Sequence, residues 1–323
     1  MSSAVFIRKL GGPEVLSFEE MTVGAPGQGE LAIRQTAIGV NFVDTYQRTG
    51  LYKVDLPFIG GQEGVGVVTA IGAGVIGFKE GDRVAYSGQN GAYATDRLVK
   101  ADRVVKVPAG LDDTVVAGAL LKGTTAYYLV HLTHPLKAGE TVLVQAAAGG
   151  TGSLVAQWAN SKGVRVIGTA GGPEKVAKAR ENGCSDVIDY KAGEFAPKVK
   201  ELTGGKGVDV VYDGVGKATF EAGLDCLRPR GLMVSFGNAS GVVSIPDLTI
   251  LSRKGSLYVT RPTTASYFQS AEDYRTAANA VLAALSDGTL RAEVNQTFAL
   301  KDVAEAHKAL ESRGTTGQTV LLP

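Results

Sequence analysis

Five short apolar runs recur at an almost constant step in the second half of the chain. They begin at Thr141 (TVLVQA), Val164 (VRVIGT), Asp186 (DVIDY), Val208 (VDVVYD) and Gly231 (GLMVSF), each 22 or 23 residues after the one before. Continuous apolar runs of this length suit strands buried on both faces. The gaps carry helical patterns. Residues 173–182, for example, open with Pro173 and are followed by Gly183, the usual order of helix start and stop. Strand and helix alternating at this spacing predict an α/β architecture, a doubly wound parallel sheet.

The flanks follow a different rule. Residues 31–37, 65–71, 83–86 and 103–107 read as short strands between Gly and Pro punctuation, which predicts a compact β barrel or sandwich. Residues 112–120 read as a helix, and 124–133 as the start of another that leads into the next domain. Residues 255–260 read as the last strand of the parallel sheet. Beyond Pro262 come two amphipathic helices, about 270–287 and 302–312, and a closing strand at 318–322. The parallel unit, 124–261, is therefore expected as an insertion into a domain made of 1–123 and 262–323.

Composition narrows the function classes. A chain of 323 residues suits two domains, and a net charge of +1 without a basic stripe argues against a nucleic-acid partner. Cys184 and Cys226 stand far apart and in no CxxC pair, which excludes a disulfide framework and predicts two buried free thiols. No run approaches the roughly 20 apolar residues that would cross a bilayer. The first residues have no signal-peptide pattern, so a cytoplasmic enzyme is the expectation.

The turn after the first parallel run carries the chemistry. It reads Ala147-Ala148-Gly149-Gly150-Thr151-Gly152, a variant of the Gly-rich fingerprint, and a helix follows. Glycines there let the backbone turn sharply and bring free N–H groups up to a pyrophosphate. A site for NAD usually has Asp or Glu at the end of the second strand, for the ribose 2′-OH. Here that strand ends Thr169-Ala170-Gly171-Gly172, with Lys175 close behind and Tyr190 after the third strand. A small neutral pocket beside a lysine suits a 2′-phosphate, so NADPH is the expected coenzyme. Glu174 complicates this, since it could face the ribose, although an acid in a first helical turn has a dipole reason of its own. Val215 (GVG) and Phe236-Gly237-Asn238-Ala239-Ser240 lie at the ends of later strands, where ligands bind in open α/β sheets. Asn238 and Ser240 offer short polar groups to an amide and a ribose; turn chemistry is the plainer reading of both.

Several segments together carry a family resemblance over nearly the whole chain. They are AIGVNFVDTYQRTGLY (37–52), GGQEGVGVV (60–68), GDRV (81–84), LLKGTTAYYL (120–129), QAAAGGTG (145–152), VYDGVG (211–216), RGLMVSFGNASG (230–241) and KGSLYVTRP (254–262). In this order they resemble the medium-chain dehydrogenase/reductase superfamily, and within it the zinc-free, NADPH-dependent quinone oxidoreductases of the zeta-crystallin-like branch. The resemblance implies a Rossmann domain inserted into a GroES-like β-barrel catalytic domain. Zinc-dependent members have a GVCHTD-like segment and a GHE segment. This chain has Gly39-Val40-Asn41-Phe42-Val43-Asp44 and Gly61-Gln62-Glu63 instead, and neither Asn41 nor Gln62 is a good zinc ligand. His131, His134 and His307 read as helix-surface or helix-end residues, so no metal is expected.

The resemblance further implies that Asn41, Asp44, Tyr46, Lys122, Tyr128 and Arg261 lie near the nicotinamide or its pocket, and that Phe42 and Arg313 lie near the coenzyme. Tyr46 and Asn41 are expected to donate hydrogen bonds to the acceptor oxygen, with Lys122 and Arg261 supplying positive potential. Plainer readings stand beside these: helix capping for Asn41, first-turn dipole compensation for Asp44, a buried aromatic for Tyr46, and solvated helix charges for Lys175 and Arg313. The expected acceptor is a small quinone. Reduction of α,β-unsaturated ketones or aldehydes is the second enzymatic reading, and an NADPH-binding structural or RNA-binding protein is the third. An apolar last strand at 255–260, with no Lys or Pro inside it, is an open template for pairing and predicts a homodimer, as the resemblance also implies.

Overall fold

The computed structural model describes residues 2–312 and 314–323. The chain divides into two compact units, Met1–Thr124 with Phe268–Pro323, and Thr125–Tyr267.

The inner unit is built on six strands: β1 (Thr141–Val144), β2 (Arg165–Ala170), β3 (Asp186–Asp189), β4 (Val208–Asp213), β5 (Leu227–Ser235) and β6 (Tyr258–Thr260). They lie in the order β3-β2-β1-β4-β5-β6, every pair parallel. Stepping outward from β1 in one direction and then from β4 in the other reverses the winding. The carboxyl ends of β1 and β4 thus flank a switch point, where such sheets take ligands. Helices Gly150–Ser161, Pro173–Glu181, Phe195–Leu202 and Phe220–Cys226 fill the crossovers. Leu143, Ile167, Val208, Val211, Phe220, Leu224 and Met233 meet in one core, each contributing about 1.5–3 kcal/mol by burial. Both cysteines are buried free thiols.

The outer unit holds a seven-stranded sheet and a three-stranded one. Its organising strand is Glu30–Gly39, which pairs antiparallel with Glu63–Ile71, Asp96–Lys100 and the closing strand Gln318–Leu322. Leu31, Ile33 and Ile38 project from it into a core shared with Val84, Tyr86, Val99 and Leu321.

Two boundaries differ from expectation. Residues 112–133 form one helix, Asp113–Tyr128, that passes directly into a π-helical turn, Leu129–Thr133. Gly118 and Gly123 are close-packing positions inside it. A Cβ on Gly118 would stand 2.8 Å from Gln318 Cβ, and one on Gly123 2.6 Å from Val281 Cγ1. The inner unit also extends past residue 261 to Tyr267, because that ring stacks on Tyr128 at 4.7 Å and 10° and its hydroxyl accepts a hydrogen bond from Thr133. Among the described residues no helix is long and apolar enough to cross a membrane.

Candidate functional site

The exit of β1 presents main chain. Ala146 adopts a left-handed conformation (φ 53°), Gly149 N donates back to Ala146 O at 2.9 Å, and the helix Gly150–Ser161 begins at once. Its N-cap, Gly149, provides no side-chain cap. Gly152 is jammed against the strand exit, where a Cβ would stand 2.4 Å from Ala146 O. The Thr169 hydroxyl at the end of β2 donates to Gln145 Oε1 at 2.5 Å and accepts from Ala146 N at 3.2 Å, locking this turn. Gln145 Nε2 is buried and has no partner among the described residues.

At the end of β2, Gly171 lies beneath the Tyr190 phenol, 2.5 Å from where a Cβ would sit. Gly172, at φ 90° and ψ 162°, is the N-cap of Pro173–Glu181 and adopts a conformation open essentially to glycine alone. Lys175 sits half-buried in this helix, its ammonium held below the usual lysine range chiefly by burial and then by Lys191 nearby.

The ends of β4 and β5 are tied to each other. Asp213 Oδ1 accepts from Val215 N and Gly216 N at 2.8 and 3.0 Å, and Gly237 packs so closely that a Cβ would meet Gly214 O at 2.2 Å. The Ser240 hydroxyl donates to Val215 O and accepts from Ala218 N, so it shapes the loop, as turn chemistry would have it. Arg261 Nη1 donates to Ser235 O at 2.7 Å. Asn238 satisfies both neighbours when its nitrogen donates to Gly237 O and its oxygen accepts from Arg261 Nη2, each at 3.0 Å. Phe236 is half-buried beside Gly214, and Tyr128 is buried, its hydroxyl pushed up to about 12 by burial.

In the outer unit the side chains themselves interlock. Asn41 caps the helix Phe42–Thr49; its N–H donates to Asp44 Oδ2 and its Nδ2 to Glu63 Oε1, both at 2.8 Å. Glu63 is fully buried and also accepts from Leu121 N at 2.6 Å and Lys122 Nζ at 3.3 Å. Lys122 spends its other donors on Val40 O and Gly118 O, so the positive potential expected of it is absorbed by a buried partner. Tyr46 is half-buried, its ring edge-on to Tyr52 at 5.2 Å and tilted against Phe42 at 6.2 Å.

Asp44 opens a second chain of contacts. Its Oδ2 also accepts from Tyr93 OH at 2.9 Å, while Oδ1 has no partner among the described residues. Burial pushes the carboxyl up to about 7; the hydrogen bonds from Asn41 and Tyr93 offset this only in part, and Glu63 adds to it. Tyr93 OH meets His307 Nε2 at 2.9 Å, and Arg48 Nη1 meets His307 Nδ1 at 2.9 Å. Arg48 continues to Glu311 at 2.6 Å and to Gly11 O at 3.1 Å. His307 is therefore not a helix-surface residue: it is 0% exposed. Burial, with Arg48 beside it, pushes its pKa down to about 3, so it is neutral. Arg48 can only donate, which makes Nδ1 the acceptor and leaves the proton on Nε2. Every hydrogen bond in the row Arg48, His307, Tyr93, Asp44 then points the same way, toward the carboxylate.

Sequence reading missed Glu63 as an anchor, gave no role to Arg48 or Tyr93, and placed His307 on the helix surface. Glu63 stood in the quoted GQE segment and Arg48 in the quoted segment 37–52; Tyr93 and His307 carry no local motif. Arg313 lies outside the described residues. Among the described residues no cluster of His, Cys, Asp and Glu gathers that could hold a metal ion.

Comparison with known proteins gives matches over the full length. A model of the alcohol dehydrogenase GroES-like domain matches residues 27–109, and one of zinc-binding dehydrogenases matches 150–283. A quinone oxidoreductase of Pseudomonas aeruginosa is 48% identical over 325 residues, covering 100% of each chain. A 2-haloacrylate reductase of a Burkholderia species is 44% identical, covering 100% of this chain and 99% of its own. Among solved structures, the quinone oxidoreductase of Escherichia coli complexed with NADPH superposes with a TM-score of 0.96 at 43% identity, covering 99% of this chain and 100% of its own.

Proposed function

This chain belongs to the quinone oxidoreductase family of the medium-chain dehydrogenases/reductases, and on that premise we propose that it binds NADPH on the β1–β6 sheet and reduces a quinone without a metal. The observation that carries the coenzyme reading is the end of β2. Two glycines stand there in place of an acid, with Lys175 behind them and Tyr190 above. The residues fit the group. The glycine-rich helix start at Gly149–Gly152, with no side-chain cap, suits a pyrophosphate, and the orphaned Gln145 Nε2 is a buried donor at the same strand end. NADPH supplies the hydride; the chain's work is to hold, orient and shield.

Gly149, Gly150, Thr151 and Gly152 bind the pyrophosphate; Gly171, Gly172, Lys175 and Tyr190 receive the 2′-phosphate end. Val215, Phe236, Gly237 and Asn238 wall the nicotinamide side, with Ser240 bracing their loops. Phe42 and Tyr128 line the coenzyme, and Arg313 is assigned to it by the family resemblance alone. Tyr46 donates to the acceptor oxygen. Asn41 has one amide hydrogen committed to Glu63 and one left for the acceptor. Lys122 is neutralised by Glu63, so Arg261, with an exposed side chain, is the cation that acts on the acceptor's developing charge. We place the enzyme in the cytoplasm as a homodimer formed through the β6 edge, where Tyr258 is 61% exposed.

Two measurements test this. Lys175→Ala is expected to weaken NADPH binding about tenfold and leave NADH unchanged; equal loss for both would remove the phosphate role. Steady-state rates with o-quinones, p-quinones, enones and a 2-haloacrylate should be highest for a quinone. Faster turnover of an activated alkene would move the chain to the reading its 44% identical haloacrylate reductase relative favours.

A further inference from the structure

An acid does stand at the coenzyme edge, one strand over from where it would confer preference for NAD. β3 ends in Asp189, paired with Ala170 at the end of β2. Its Oδ1 accepts from Gly172 N at 2.9 Å and from Lys191 N at 2.9 Å. Those two hydrogen bonds hold its carboxyl below the usual carboxylate range. One oxygen thus staples the turn after β2 to the turn after β3, and the carboxylate is spent on main chain.

The staple has consequences for the side chains around it. It brings the Tyr190 hydroxyl to 2.5 Å from a Cβ at Gly171, and Lys191 Nζ to 4.0 Å from a Cβ at Gly172. An acid introduced at Gly171 would have to displace the Tyr190 phenol, so a ribose-binding carboxylate at the end of β2 comes only with a shift of that side chain. Lys191 is also close enough to lower the affinity of Lys175 for its proton. Lys191 Nζ thus stands beside Gly172, the N-cap of the helix Pro173–Glu181 that carries Lys175, next to the positive end of that helix. Glu174, in the same helical turn, offsets part of this positive charge, and a phosphate dianion placed there would be met by both cations.

We infer that Asp189 and Lys191 are specificity-determining residues for the 2′-phosphate: Asp189 is a positioning residue that clasps the two turns, and Lys191 is the second cation of the phosphate pocket. The inference rests on the NADPH reading above.

Its test compares two nucleotides that differ only in the 2′-phosphate, adenosine 2′,5′-bisphosphate and 5′-AMP, by titration calorimetry on the full chain at low salt. Neither needs turnover. Lys191→Gln should weaken the bisphosphate about tenfold and change 5′-AMP less than about twofold. Asp189→Ala should weaken the bisphosphate about threefold, again more than 5′-AMP, and Asp189→Asn, which keeps an acceptor oxygen, should restore it. A Lys191→Gln protein with the wild-type ratio of the two affinities overturns the cation role. An Asp189→Asn protein that behaves like Asp189→Ala overturns the clasp. Wild-type protein that binds both nucleotides alike overturns the NADPH reading itself, a failure distinct from the other two.

Discussion

At the exit of β1 the coenzyme unit offers a ligand main chain, glycines and a helix start; around Asn41 the outer unit offers side chains whose polar groups hold one another. The first arrangement comes from one continuous stretch, 145–152. The second joins Arg48, Glu63, Tyr93, Lys122, His307 and Glu311, so that one row of hydrogen bonds spans 263 residues of chain between Arg48 and Glu311. A backbone-built site loses function when a side chain is added. A side-chain network loses stability when one is removed, because each neighbour is left buried and unpaired.

The largest effect expected from this contrast is on stability. His307→Leu keeps the volume roughly but strands Arg48 Nη1 in the core and takes from Tyr93 OH the donor it accepts from, leaving only its bond to Asp44, and should cost about 3 kcal/mol in denaturant unfolding. A loss under about 1 kcal/mol would mean the row of hydrogen bonds does not hold the helix Val303–Glu311 to the helix Phe42–Thr49.

The next effect is a pH slope. Asp44 has its pKa raised to about 7, so the folded state holds a proton that the unfolded state releases near pH 4. Its contribution to stability falls as pH rises from about 4 to 7. His307, with its pKa lowered to about 3, has the opposite sign. The unfolded state gains a proton below about pH 6.5, so stability falls as pH drops from there toward 3. Between pH 4 and 6.5 the two slopes oppose, each up to about 1.4 kcal/mol per pH unit. Asp44→Asn removes one of them. Over this window its stability should rise with pH more steeply than the wild type's in unfolding experiments at a series of pH values. A parallel pair of curves would show that Asp44 is ionised in the folded state throughout.

The smallest effect belongs to the coenzyme unit. Gly152→Ala sets a Cβ against Ala146 O and should cost about 1–3 kcal/mol of stability as the helix start shifts. NADPH affinity, read by fluorescence titration, should fall at least tenfold, since the N–H groups move with it. Retained affinity would mean the phosphates are held elsewhere than on this turn.

How much of this was legible depends on distance along the chain. The parallel strands were visible from their spacing, and the phosphate turn from its glycines, because both are local patterns of fixed length. The join at residues 112–133 was misread. The sequence reading left a gap at 121–123, and Gly123 in that gap proves to be a close-packing position against Val281 inside one continuous helix. The end of the inner unit was placed six residues early because a stack between Tyr128 and Tyr267 leaves no trace in composition. His307 was misplaced for the same reason. Its helix has a polar look, and only the approach of Arg48 and Tyr93 makes its inward position affordable.

Periodicity and turn chemistry, then, were enough to set the class of fold, the coenzyme turn and the absence of an acid at the end of β2, since each depends on residues within about one supersecondary unit. The strand order β3-β2-β1-β4-β5-β6, the burial of His307, the neutralisation of Lys122 by Glu63 and the stapling of two turns by Asp189 were decided in three dimensions. Each depends on partners from distant stretches or neighbouring strands, and the free energy of a buried or shared polar group is defined only once those partners have arrived.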